Sequence, residues 1–224
     1  MAPVWSPDGS QLIFGSDREQ GSRTNTYLKK SIDAGGEESP LLVQDEPFDW
    51  SRDGKWFVLG GGDISVASSE PPYRSFSFLA TKAKEGGARF SPDSKWLAYS
   101  SDESGRGEVY VRPFKGAPAT ADGKLQISNS GGGFPIWRRD GQEIFYMALD
   151  FAIYAVDLKN LGKGGPMPLP VRLFLPCPGT RALGAPNPVE PYQYNFDSQD
   201  GQRFLVNCQA DPPGRYTIML NWLK

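Results

Sequence analysis

The feature that most constrains this chain is a short pattern that returns five times. An aromatic or apolar residue is followed by Ser or Arg, a variable residue, Asp and usually Gly, and an apolar run begins soon after. The copies are Trp5-Ser6-Pro7-Asp8-Gly9 before Leu12-Ile13-Phe14, and Trp50-Ser51-Arg52-Asp53-Gly54 before Trp56-Phe57-Val58. Phe90-Ser91-Pro92-Asp93-Ser94 precedes Trp96-Leu97-Ala98-Tyr99, and Trp137-Arg138-Arg139-Asp140-Gly141 precedes Ile144-Phe145-Tyr146. The fifth, Ser198-Gln199-Asp200-Gly201 before Phe204-Leu205-Val206, has Asp197 at the anchor position and Phe196 one place earlier. Each copy reads as a tight turn between two strands. Pro presets φ, Asp bonds to nearby backbone, and Gly takes up a positive φ at little cost.

The repeated aspartates lie 45, 40, 47 and 60 residues apart. A four-stranded blade of a β-propeller takes roughly 40–45 residues. A third strand is expected in every repeat: Thr26–Leu28, Ile64–Val66, Val109–Val111, Ile153–Val156 and Thr217–Leu220. Outer strands are weaker, near Leu41–Val43, Ser75–Leu79, Leu125–Ser128 and Val171–Leu175, and none follows Leu220. No segment shows helical periodicity over eleven or more residues. With 26 Gly, 20 Pro and 12% aromatic residues, the composition suits many short strands and tight turns. The reading is an all-β propeller forming a single domain over 1–224, with repeats near 1–43, 44–80, 86–128, 133–175 and 190–224. It has five four-stranded blades, the last of them three-stranded. An insertion from about Gly162 to Pro191, rich in Pro and Gly, accounts for the longest gap and is placed over the channel mouth.

The segment from Phe90 to Phe114, the run Gly131–Gly141 and the ending Ile218-Met219-Leu220-Asn221-Trp222 carry a resemblance over nearly the whole chain. They resemble the WD40-like, or PD40, repeats of TolB-like propellers, and in particular the C-terminal propeller of bacterial serine/threonine kinases. The chain departs from those kinases in having no Gly-rich loop, no Val-Ala-Ile-Lys strand and no His-Arg-Asp loop. It also has fewer repeats than the six or seven common in such propellers. The resemblance implies a bacterial protein outside the cytoplasmic membrane, although Met1-Ala2-Pro3-Val4-Trp5 does not read as a signal peptide.

In such an architecture the Asp-Gly turns occupy one face, and the loops joining second to third strands and blade to blade occupy the other. Function usually sits on loops held by a rigid scaffold. The candidate ligand-binding residues are therefore Asp17, Arg18, Asp45, Asp102, Arg106, Glu108, Arg181 and Tyr192. Their mixed charge suits a protein, peptide or polar small ligand, and the favoured function is a non-catalytic binding module. The alternative is a hydrolase, glycosidase or esterase, with a carboxylate-based site at the central channel. Asp49, just before the Trp50 anchor, and Glu190, ahead of the last repeat, are its candidate acids.

Composition narrows the chemistry. The chain has no histidine, so neither a Ser-His-Asp triad nor a Cys-His pair can be assembled within it. The repeat aspartates read as turn residues rather than metal ligands, and no cofactor is expected. A net charge of −2 with scattered Lys and Arg argues against nucleic acid as a partner. No apolar stretch approaches the roughly 20 residues that span a bilayer as a helix, so membrane insertion is not expected. Cys177 and Cys208 are compatible with a disulfide or with two thiols. Self-association through open blade edges is a further expectation, because the last repeat lacks an outer strand.

Overall fold

A computed structural model describes residues 3–16, 26–31, 38–41, 45–60, 62–116, 123–176, 196–198, 200–206 and 217–220. Their secondary structure is all-β, in five antiparallel sheets. The first contains β1 (Val4–Trp5), β2 (Gln11–Ser16), β3 (Thr26–Ser31) and β4 (Glu38–Leu41). The second contains β5 (Glu46–Trp50), β6 (Trp56–Gly60), β7 (Ile64–Ser68) and β8 (Ser75–Leu79). The third contains β9 (Glu85–Phe90), β10 (Trp96–Ser101), β11 (Glu108–Pro113) and β12 (Leu125–Gln126). The fourth contains β13 (Gly132–Trp137), β14 (Glu143–Ala148), β15 (Ile153–Asp157) and β16 (Val171–Phe174). The fifth has three strands among the described residues: β17 (Phe196–Asp197), β18 (Arg203–Val206) and β19 (Thr217–Leu220). Within every sheet the strands follow one another in chain order.

The repeat turns show why the motif recurs. Ser6 Oγ donates to Asp8 Oδ1 at 2.6 Å and accepts the Gln11 N–H at 2.8 Å, closing the turn from both sides. Ser51 with Asp53, and Ser91 with Asp93, repeat the hydroxyl–carboxylate bond at 2.6 Å. In the fourth copy Arg138 stands where Ser stood and grips Asp140 with two bonds of 2.7 Å. Ser94 occupies the usual Gly position in the third copy at φ 57°, a conformation that Gly adopts without strain. These carboxylates are engaged by their own turns. Among the described residues no group of three His, Cys, Asp or Glu side chains is arranged to hold a metal ion.

Packing between sheets follows one register. The anchors of the second, third and fourth sheets each lie against the sheet before. Trp50 packs with Val4, Ile13 and Leu41, Phe90 with Val58, Ile64 and Val66, and Trp137 with Ala98, Val109 and Val111. Strand alternation turns the next set the other way, so Phe145 and Met147 meet Phe204 and Val206 of the fifth sheet. The first strands β5, β9 and β13 approach one another from sheet to sheet, while outer strands such as β16 are largely exposed. Blades are thereby stacked around their first strands.

In the first and fifth sheets one apolar position of this register is exposed. Trp5 holds the anchor position in the first sheet and is 53% exposed. Leu205, which is equivalent by its distance from the motif Asp to the buried Ile13, Val58, Ala98 and Phe145, is 51% exposed.

Candidate functional site

Strand order puts the β6–β7, β10–β11 and inter-sheet connections on the face opposite the repeat turns. Two structures occupy the described part of that face. One is a clip centred on Glu108, whose side chain is 1% exposed. Glu108 Oε1 accepts Arg106 Nε at 2.6 Å and the Gly131 N–H at 2.9 Å, while Oε2 accepts the Ser128 hydroxyl. Arg106 Nη2 also donates to the Asn129 carbonyl at 2.8 Å, and Ser128 Oγ accepts the Val109 N–H at 2.7 Å. This network ties the β10–β11 loop to the connection leading into β13. Glu108 is thus held by protein donors, and Arg106, half-exposed, is the member of the pair that faces solvent.

The other structure surrounds Glu85, at the start of β9. Its residue is 2% exposed. Oε1 accepts the Thr81 hydroxyl at 2.5 Å, but Oε2 is buried with no hydrogen-bond partner. Burial pushes this carboxyl above its ordinary value of 4.5. The Thr81 bond opposes the shift, and the negative charges of Asp63, Glu103 and Asp102 add to it. Buried polar atoms are almost always satisfied, so an orphan carboxylate oxygen marks an unusual position. Asp102 is itself anchored, accepting the Lys84 N–H at 2.8 Å. Asp63 is exposed and the Glu103 side chain, paired with Lys124, is partly so, giving the cluster a solvent-facing edge. Asp45 lies one residue before Glu46, which pairs with Gly60 as Gly86 pairs with Ser100; Asp45 therefore sits at the repeat position that Glu85 occupies in the next sheet.

Asp49 lies deeper in the stack. Its Oδ2 accepts the Phe90 N–H at 2.8 Å, joining β5 to β9. Burial pushes its carboxyl up against the opposing pull of Arg89. That bond gives Asp49 a structural task between two blades.

Solved structures share this architecture at low identity. TolB from Acinetobacter baumannii superposes with a TM-score of 0.60 at 16% identity, over 99% of this chain and 51% of that one. The fold is that of a TolB-like β-propeller. A protein assigned as TolB from Agrobacterium tumefaciens gives 0.58 at 17% identity, over 92% of this chain and 68% of that one. A puromycin-hydrolyzing peptidase from Mycobacterium tuberculosis gives 0.60 at 12% identity, over 96% of this chain and 35% of the peptidase. In sequence, the chain is 30% identical to the uncharacterized peptidase YuxL of Bacillus subtilis over 115 residues. That match takes in 49% of this chain and 17% of YuxL, so the chain spans a small part of that relative. No protein-family model matches.

Within the TolB-like propeller, the residues singled out from sequence fall into three groups. Asp102 lies in the Glu85 cluster, and Arg106 and Glu108 form the neighbouring clip. Asp45 and Asp49 stand at either end of the β5 region and do not meet in one site. Asp17, Arg18, Arg181, Glu190 and Tyr192 lie outside the described residues, as do Cys177 and Cys208. The insertion from Gly162 is described to residue 176; within it β16 forms the outer strand of the fourth sheet, and Met167 packs on the core between the third and fourth. Sequence reasoning missed Glu85. Its signal was an acidic residue five places before an aromatic anchor, where Gly132 stands before Trp137.

Proposed function

We propose that this TolB-like propeller is a non-catalytic binding module whose loop face takes a cationic group of a protein, peptide or polar small ligand. The observation that carries this reading is the buried, unpartnered Oε2 of Glu85 beneath the acidic edge of Asp63, Asp102 and Glu103. A carboxylate held in that state gains most from an ammonium or guanidinium brought close to it, because charge-assisted bonds are the strongest of their class. Titration of isotopically labelled chain with a short lysine-bearing peptide, followed by amide NMR, tests it. The expected shifts centre on Gly62, Glu85 and Glu103; shifts spread evenly over the surface would count against the site.

The hydrolase reading is kept alive by the two peptidases among the similar proteins. Its acids here are Asp49 and Glu190, and the bond from Phe90 already engages Asp49. Assays against panels of ester, glycoside and peptide substrates test it. Turnover lost on replacing Asp49 or Glu190 would favour the hydrolase over the binding module.

A further inference from the structure

On the face carrying the repeat turns, a cavity of about 390 Å³ opens between the third and fourth blades. Its walls come from two consecutive turns, with Asp93 on one and Gln142 beside Asp140 on the other, and from the indoles of Trp96 and Trp137. We propose that this pocket binds a neutral sugar, stacked on Trp96 and hydrogen-bonded along its rim.

Two of the charged groups around the cavity are paired within the protein, and Asp93 is the lining carboxylate with no ion pair among the described residues. Asp140 is gripped by Arg138 at 2.7 Å, and Lys159 pairs with Asp157 at 3.1 Å. An anionic ligand would meet the Asp93 carboxylate, whereas a neutral polyhydroxylated one can use it as a hydrogen-bond acceptor. The floor is aromatic. Trp137 is 8% exposed and its N–H is already given to the Arg89 carbonyl at 3.2 Å, so it offers packing surface rather than a donor. Trp96 is half-buried, and an indole face of this kind matches the apolar C–H face of a pyranose.

The rim is polar and uncommitted. The exposed side-chain amide of Gln142 enters no hydrogen bond with the described residues, and the turn uses only Oδ1 of Asp93. One carboxylate oxygen and one amide supply acceptors and donors for adjacent hydroxyls. Pockets of roughly 300–1,000 Å³ with an apolar lining and a few placed polar groups are the usual form of small-ligand sites. The size suits one or two sugar units. This site lies on the face opposite Glu85 and does not depend on the function proposed there.

The test is tryptophan fluorescence and calorimetric titration of the full chain with maltose, cellobiose and diacetylchitobiose, with choline as a cationic control. At least one disaccharide is expected to perturb the fluorescence and to bind. Gln142→Ala, an exposed change that leaves the core untouched, is expected to weaken it about tenfold, the effect of one lost hydrogen bond of about 1.4 kcal/mol. Trp96→Ala is expected to remove binding and Trp96→Phe to retain part of it, while Glu85→Gln leaves it unchanged. No response to any disaccharide, binding indifferent to Gln142→Ala, or preference for choline would each overturn the proposal.

Discussion

Two buried carboxylates on the loop face, Glu85 and Glu108, look alike in sequence and behave in opposite ways. Glu108 is satisfied at both oxygens, and removing it would orphan the Gly131 N–H and the Ser128 hydroxyl. Glu108→Ala is expected to cost about 3 kcal/mol, read as a drop in the denaturation midpoint. Glu85 carries an oxygen with no partner, and its folded carboxyl lies above the unfolded value of 4.5. A raised carboxyl binds more protons in the folded state, so its stabilisation is present below pH 4.5 and is lost as pH rises through the folded value. Glu85→Gln is therefore expected to stabilise the chain at neutral pH by about 1 kcal/mol. Thermal melts of both proteins from pH 4 to pH 7 check this, and the gap should narrow toward the acid end. Neither role was legible in the sequence, because spacing shows where an acid sits along a strand but not which donors the neighbouring loop brings. The repeat aspartates were legible, since each bonds within its own turn; Asp8 is held down at about 2, chiefly by the Ser6 hydroxyl.

At the scale of the strand, the turn motif and the apolar runs located β2, β6, β10, β14 and β18, and β8 spans Ser75–Leu79 as read. The outer strands β12 and β16 begin at Leu125 and Val171 as read and end short of the expected Ser128 and Leu175. The first described outer strand is Glu38–Leu41, which includes the Leu41 of the reading near Leu41–Val43, and residues 42–43 lie outside the described residues. The first strands were harder to read. Each of β5, β9 and β13 pairs with its neighbour through a shift in register, which breaks the alternation that sequence patterns rely on. Gly132 lies before that shift in β13, and a Cβ there would come within 2.5 Å of the Tyr146 ring. Tyr146 stacks on Tyr154 at 5.6 Å and cannot swing aside without losing that contact. Gly132→Ala is expected to destabilise by about 2 kcal/mol, measurable by urea denaturation.

For the molecule as a whole, the repeats identified the fold and left the closure of the ring open. Among the described residues one register is carried through three anchors, and Trp5 and Leu205 are exposed on the first and fifth sheets. A matched pair of variants measures this. Trp50 is 6% exposed, so Trp50→Ser is expected to cost about 3–5 kcal/mol, whereas Trp5→Ser should stay within about 0.5 kcal/mol. Equal costs would mean that the Trp5 face is covered in solution. The binding function proposed for the loop face depends on Glu85. The most direct measurement is calorimetric titration of the chain and of Glu85→Gln with a lysine-bearing peptide and its acetylated counterpart, at low and constant salt. The account predicts that the unmodified peptide binds, that Glu85→Gln weakens it at least tenfold, and that acetylation abolishes binding. Equal affinity of both proteins for the peptide, or of both peptides for the protein, would contradict it.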